Sequence, residues 1–173
     1  MHKFLILLVG MIVAGAADVS AADVTTYTFP SKNPSFSISF PTNWVQKSKD
    51  DTGYLEMGTP DDAIWIDVWL LDKSKDPADT NTISDITDDM KSWLTDLDVK
   101  RAPDGDTTIG GIQFTSYQGT GKTKDGGETQ VIEADICSPD GKNQIVICYY
   151  GNKGASVPYK ADLQTIFSSI KAL

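Results

Sequence analysis

The sequence predicts an α+β domain built on a mainly antiparallel β-sheet flanked by helices. Three observations carry that prediction. Val131 to Tyr150 (VIEADICSPDGKNQIVICYY) reads as two alternating strands around a Pro-Asp-Gly-Lys-Asn turn, the pattern of a hairpin. Asp62 to Leu71 (DAIWIDVWLL) is apolar on both faces, which suits a central strand covered by helices on each side of its sheet. Two later stretches, beginning near Thr82 and at Pro158, repeat apolar residues at steps of three and four, the stripe of an amphipathic helix.

Taken in order, the elements justify themselves locally. Residues Ala22 to Pro34 are polar and hold two prolines, so an extended lead-in is expected, with at most a short strand over Thr25 to Phe29. Phe36-Ser37-Ile38-Ser39-Phe40 alternates large apolar residues with serines and is the first clear strand. Pro41 ends it, and Asn43-Trp44-Val45 resumes as a second strand or a bend. Tyr54 to Met57 is a short strand after a charged turn. In Asp62 to Leu71, Ile64, Ile66, Val68 and Leu70 share one face, while Ala63, Trp65, Asp67, Trp69 and Leu71 share the other.

A polar loop with Pro77 leads to a helix capped by Thr82 or Ser84, with Asp85, Asp88 and Asp89 near its positive end. Ile83, Ile86, Met90, Trp93, Leu94 and Leu97 form its expected apolar stripe, with Trp93 in the core. Pro103-Asp104-Gly105 reads as a turn, and Ile109 to Gln118 as a strand bulged at Gly110-Gly111. Gly119 to Glu128 reads as a flexible hairpin connection. After the cysteine hairpin, Pro158 opens a helix striped by Tyr159, Leu163, Ile166, Phe167, Ile170 and Leu173.

The hairpin carries both cysteines. Ile132, Ala134 and Ile136 share one face of its first strand, and Ile145, Ile147 and Tyr149 one face of its second, which leaves Cys137 and Cys148 on the face opposite. With a loop at Gly141 to Gln144 the two stand across from each other, within reach of a disulfide that would add about 3 kcal/mol or less. Two unrelated buried thiols are the alternative. No Cys-x-x-Cys is present, so a redox-catalytic role is not expected.

The N-terminus bears on compartment. A basic Met1-His2-Lys3, an apolar run from Phe4 to Ala17 and small residues at Ser20-Ala21-Ala22 make a signal peptide, cut after Ala21 or Ala22. An uncleaved anchor is the rival, although the run falls short of the roughly 20 residues that span a bilayer. The organisation expected is a signal peptide over 1–21, an extended segment over 22–34, and one domain over 35–173. The protein is then periplasmic or secreted, where disulfides persist, with no stable membrane anchor after cleavage.

Composition excludes several functions. The net charge is −9, and cleavage would remove Lys3 and Asp18 together and leave it unchanged. An acidic chain without a basic block is a poor ligand for nucleic acid or anionic membranes. His2 is the single histidine and leaves with the signal peptide, which rules out Ser-His-Asp and Cys-His sites and His-ligated zinc. Gly119-Thr120-Gly121-Lys122-Thr123 resembles half of a phosphate-binding loop, but Ser116 stands where a glycine is required and no helix start follows the lysine. Asp76, Asp79, Asn81 and Asp85 lie close together, yet Ile83 and a missing glycine exclude an EF-hand. Glu133 and Asp135 form a carboxylate pair that nothing marks as catalytic. No metal, cofactor or catalytic residue is assigned.

One constellation remains. Trp65, Asp67 and Trp69 place two indoles on one strand face with a carboxylate between them. Covered by a helix they are core, and Asp67 then needs a hydrogen-bond partner; left open they form a groove for a sugar, a peptide or an apolar ligand.

Phe36-Ser37-Ile38-Ser39-Phe40-Pro41 with Trp44, the mid-chain amphipathic helix, the strands after it, and the closing Leu163-x-x-Ile166-Phe167-x-x-Ile170 helix together resemble the PsbP-like fold family. The resemblance covers most of the chain after the signal segment and is carried by structural rather than catalytic motifs. It implies a compact α/β/α sandwich that acts by docking to a partner rather than by catalysis. The expected function is an exported, non-catalytic binding or accessory module that docks to a protein or envelope component as a monomer. The alternative is a small-ligand or carbohydrate-binding protein using Trp65, Asp67 and Trp69.

Overall fold

The computed structural model describes residues 23–50, 53–71, 80–141 and 143–173, with the side chains of 80–82 excepted. The expected signal peptide therefore lies outside the described residues, as do Asp76 and Asp79 of the acidic loop. Strands β1 (Val24–Phe29), β2 (Phe36–Pro41) and the short β10 (Lys171–Ala172) form a small sheet in the order β1-β2-β10. Strands β3 (Val45–Lys49), β4 (Tyr54–Gly58), β5 (Ile64–Leu71), β6 (Leu94–Ile109), β7 (Ile112–Thr123), β8 (Thr129–Cys137) and β9 (Gln144–Asn152) form a large one in the order β3-β4-β5-β9-β8-β7-β6. All neighbouring pairs in both sheets are antiparallel.

The large sheet is apolar on both faces, as the β5 pattern requires. On one face Leu55, Met57, Ile64, Ile66, Val68, Ile145 and Ile147 pack with Phe36, Ile38 and Phe40 of β2 and with Leu163 and Ile166 of helix α2 (Lys160–Ser168). On the other, Ile132, Ala134, Ile136, Val146 and Cys148 pack against Ile86 and Met90 of helix α1 (Thr80–Met90). Helices do lie on both sides, but α2 shares its layer with the small sheet, so the layering is not a plain α/β/α sandwich. Ser37 and Ser39, the small polar residues between the large apolar ones of β2, are buried too. Ser39 exchanges hydrogen bonds with Ser169 just past α2: its N–H donates to Ser169 Oγ at 2.7 Å, and its carbonyl accepts from that hydroxyl at 3.4 Å. Trp44 is tied to α2 through its indole N–H, which donates to Asp162 at 3.0 Å.

Several boundaries differ from the sequence expectation. Helix α1 stops at Met90, and Leu94 and Leu97 belong to β6. Their spacing suits a helical stripe, but β7 offers an open edge and tertiary pairing prevails, with Leu94 opposite Thr123. Pro103-Asp104-Gly105 is an irregularity inside β6, where the register shifts between Arg101 and Asp106, and not a turn between elements. The turn lies at Gly110-Gly111, between the paired Ile109 and Ile112. Both glycines have positive φ, 56° and 81°, as a two-residue hairpin turn of the kind that matches strand twist demands. Gly119 to Thr123 continues β7 instead of forming a mobile loop. A Cβ on Gly119 would sit 2.1 Å from the Asp98 carbonyl oxygen, so close strand approach, not phosphate binding, accounts for that glycine. Helix α2 ends at Ser168, and Leu173, assigned to its stripe, is exposed beyond β10.

The cysteine hairpin forms between β8 and β9 but in another register. Cys137 pairs with Ile145 and Cys148 with Ala134. Relative to the expected pairing this is a slip of three residues, and an odd slip exchanges the faces. Cys137 lies in the core under the small sheet and Cys148 in the core under α1. Both are buried and free, so the Cys137–Cys148 disulfide is not formed. Alternation could not choose the register, because Ile132, Ala134 and Ile136 on one face and Ile145, Ile147 and Tyr149 on the other are all core residues. The loop chose it. Asp140 accepts from the Asn143 N–H at 2.9 Å, and the Ser138 hydroxyl donates to the Asn143 carbonyl at 2.9 Å, closing the turn at Ser138 to Asn143.

Candidate functional site

Trp65, Asp67 and Trp69 all project from β5 toward the α1 side, as alternation requires. They are neither sealed in the core nor displayed; each is half-buried. In register with them stand Gly58, Glu56 and Tyr54 of β4 and Tyr150, Cys148 and Val146 of β9. Helix α1 covers only part of this face. Its end brings Asp89, Met90 and Trp93 over β5 and β9, and between helix and sheet lies a cavity of about 220 Å³ lined by Tyr54, Asp67, Trp69, Asp89, Trp93 and Tyr150 among others.

The rings form a continuous aromatic wall. Trp65 stacks on Tyr150, with planes 3° apart and centroids 6.4 Å apart, and Trp93 meets the same tyrosine at 5.1 Å. Trp93 and Tyr150 also line a second hollow of about 240 Å³ that includes Trp65, Glu128, Gln130 and Asn152. The flank toward β3 is closed by Lys47. Its ammonium lies 5.1 Å from the Trp65 ring centroid and 2.5 Å from an Asp62 carboxylate oxygen.

Asp67 sits at the floor. Burial, and then the charge of Glu56 directly across the ladder, push its carboxyl up to about 7; hydrogen bonds from the Tyr150 and Tyr54 hydroxyls oppose the shift, and Asp89 adds to it. Burial, then the Asp67 charge, raise both tyrosine hydroxyls. The Oδ1 atom of Asp67 is buried and accepts no hydrogen bond among the described residues. The leading influences on this carboxyl among the described residues are burial, two acids and two tyrosine hydroxyls. Chemically the site is an aromatic-walled, acidic hollow with one unsatisfied acceptor.

The second acidic pair lies elsewhere. Glu133 and Asp135 share the β8 face turned toward Tyr149 and Ile147, on the side of the small sheet. The Ser116 hydroxyl donates to Asp135. Burial raises both carboxyls, and the Asp135 charge raises Glu133 further. Cys137 and Cys148, whose thiols burial also raises, are core residues rather than nucleophiles. Among the described residues no group of three or more His, Cys, Asp or Glu side chains is placed to hold a metal ion. Sequence reasoning found the β5 part of the site but missed Tyr54, Asp89, Trp93 and Tyr150. Tyr150 is a cross-strand partner known only from register, and Trp93 was expected in a helix that in fact ends before it.

This arrangement of a large antiparallel sheet, a small sheet and two helices is a Mog1/PsbP-type fold. Its likeness extends to solved structures from widely separated sources. LpqN of Mycobacterium tuberculosis, a protein involved in cell envelope biogenesis, superposes with a TM-score of 0.52 at 15% identity, over 86% of this chain and 91% of that one. The Saccharomyces cerevisiae Ran-binding protein Mog1p gives 0.51 at 13% identity, over 87% and 95%. A protein from Bacteroides thetaiotaomicron gives 0.53 at 14% identity, over 86% of this chain but 48% of its own, so this chain spans about half its length. Identities this low establish the fold and nothing finer. No protein-family model matches the chain, and no curated protein matches it at the sequence level.

Proposed function

We propose that the protein is a non-catalytic binding or accessory module, exported to the periplasm or the medium, that docks to a protein or envelope partner through the open part of its α1 face. The observation that carries this is the aromatic wall of Trp65, Tyr150 and Trp93 left half-buried beside α1, since clustered aromatics are the residues that anchor interfaces. Two proteins of the same fold, one involved in envelope biogenesis and one that binds Ran, support a partner-binding role. A photo-crosslinking residue at Trp65 or Trp93 should capture one recurrent species in the native organism. The same group at Gln164, exposed on α2, should capture far less. Recovery of the uncrosslinked chain alone, or equal capture from both sides, overturns the proposal.

A small-ligand carrier is the second reading, favoured by the half-open cavity of about 220 Å³ above Asp67, which suits a side chain or a small molecule better than a folded surface. In either case Trp65, Asp67 and Trp69 are the binding residues proposed, joined by Trp93 and Tyr150.

A further inference from the structure

The α1-side cavity has an unusual combination of walls and floor: aromatic faces above a carboxylate whose leading neighbours among the described residues are other acids and tyrosine hydroxyls. We propose that it binds an alkylammonium group, supplied by a lysine side chain of a docking partner or by a free quaternary amine, with Asp67 and Asp89 facing the charge and Trp69, Trp93 and Tyr150 enclosing it. The inference rests on the reading of the α1 face as a docking surface and adds the chemistry of what it takes.

Four observations carry it. Asp67 and Asp89 both line the cavity, and Glu56 stands directly across the strand from Asp67. Two carboxylates thus line one hollow with a third beside it on the ladder, and the charges of Glu56 and Asp89 disfavour that of Asp67 unless a cation joins them. Asp67 Oδ1 is buried without a donor among the described residues, and the desolvation cost of an unsatisfied buried acceptor is one that an incoming N–H or the field of a quaternary nitrogen would recover. The walls are indole and phenol rings, whose faces attract cations. The protein also builds the same arrangement one step along the strand, where its own Lys47 ammonium lies over Trp65 with Asp62 as counter-ion. The cavity repeats that ring-and-carboxylate pairing with the cation position left to a ligand. Its volume of about 220 Å³ accommodates a trimethylammonium group or the end of a butylammonium stem.

The test is calorimetric titration of the full chain with two pairs of probes: N-acetyl-lysine methylamide against its norleucine counterpart, and choline against 3,3-dimethylbutan-1-ol. Choline and its neutral counterpart match in shape and differ in charge, and the norleucine side chain lacks only the ammonium of lysine. The charged member should bind about tenfold more tightly than the neutral one at about pH 8. Asp67→Asn and Asp89→Asn should each remove most of that preference, and Asp89, exposed at the rim, does so without disturbing the core. Binding should also tighten between about pH 6 and 8 as Asp67 ionises among Glu56 and Tyr54 of β4, Asp89 of α1, and Cys148 and Tyr150 of β9. A stronger lysine arm assigns the source to a partner side chain, a stronger choline arm to a permethylated amine. Equal affinity within both pairs, absence of saturable binding, or unchanged preference in both variants overturns the proposal. If the amines fail while crosslinks from Trp65 persist, the docking surface stands and its ammonium chemistry falls.

Discussion

Replacing Asp67 by asparagine should stabilise this protein, and by more as the pH rises. The carboxyl is held at about 7 in the folded chain, against about 3.9 when unfolded. Between those values the folded chain keeps a proton that the unfolded chain has released, so stability falls as pH rises through the window, and the loss is complete above about 7. A tenfold change in a proton equilibrium is about 1.4 kcal/mol, so the whole loss is about 4 kcal/mol, of which about 2.5 kcal/mol falls between pH 5 and 8. Asparagine has nearly the same shape, keeps an oxygen for the Tyr54 and Tyr150 hydroxyls, and turns an amide donor toward Glu56 or Asp89. The assay is thermal unfolding of wild type and Asp67→Asn at about pH 5 and about pH 8. For a chain of this size about 1 kcal/mol is worth 2–4 °C, so the advantage of the variant should widen by about 5–10 °C across the interval. A gap that stays constant, or that widens toward acid, would refute the assignment of Asp67 as a buried carboxyl destabilised by its neighbours.

Other outcomes follow from the same structure. Glu133→Gln should flatten the fall in stability as pH rises above the ordinary carboxylate range, because burial and Asp135 raise Glu133 in the fold and folding is then favoured by its protonated form; urea midpoints across pH measure this, and an unaltered profile counts against it. Both thiols are free and buried, so intact mass should be the same before and after reduction, with alkylation of Cys137 and Cys148 only in denaturant. A gain of about two mass units on reduction would reinstate the disulfide. Gly119→Ala should destabilise by about 1–3 kcal/mol through overpacking, since its Cβ would press on the Asp98 carbonyl and the Val99 Cα at 2.1 and 2.6 Å. An unchanged urea midpoint would show that β6 has room to give way.

Much of the secondary structure could be read directly. The strands expected over Phe36 to Phe40, Tyr54 to Met57 and Asp62 to Leu71 form as Phe36–Pro41, Tyr54–Gly58 and Ile64–Leu71, and Ile83, Ile86 and Met90 do lie on a helix. Those patterns depend on a residue and its near neighbours, which a linear reading contains. The errors cluster where two local readings compete. Leu94 and Leu97 satisfy a helical stripe as well as a strand, and Pro103-Asp104-Gly105 is a turn in isolation but a register irregularity once β7 is alongside.

The sequence by itself determined the alternation of the β5 face, hence that Trp65, Asp67 and Trp69 stand together, and the absence of histidine after His2. It determined too that the strands would be covered on both sides. Only the tertiary structure decided which faces meet. The pairing of Cys137 with Ile145 separates the two cysteines across the sheet, because an odd shift in register inverts every side chain and the pattern, apolar on both faces, was indifferent to that inversion. The same ladder sets Tyr150 beside Trp65 and Glu56 beside Asp67, and the end of α1 at Met90 frees Trp93 to lie over Tyr150. The acidic aromatic hollow is a product of those long-range pairings; its residues come from β4, β5, α1 and β9, and no window of sequence holds them together.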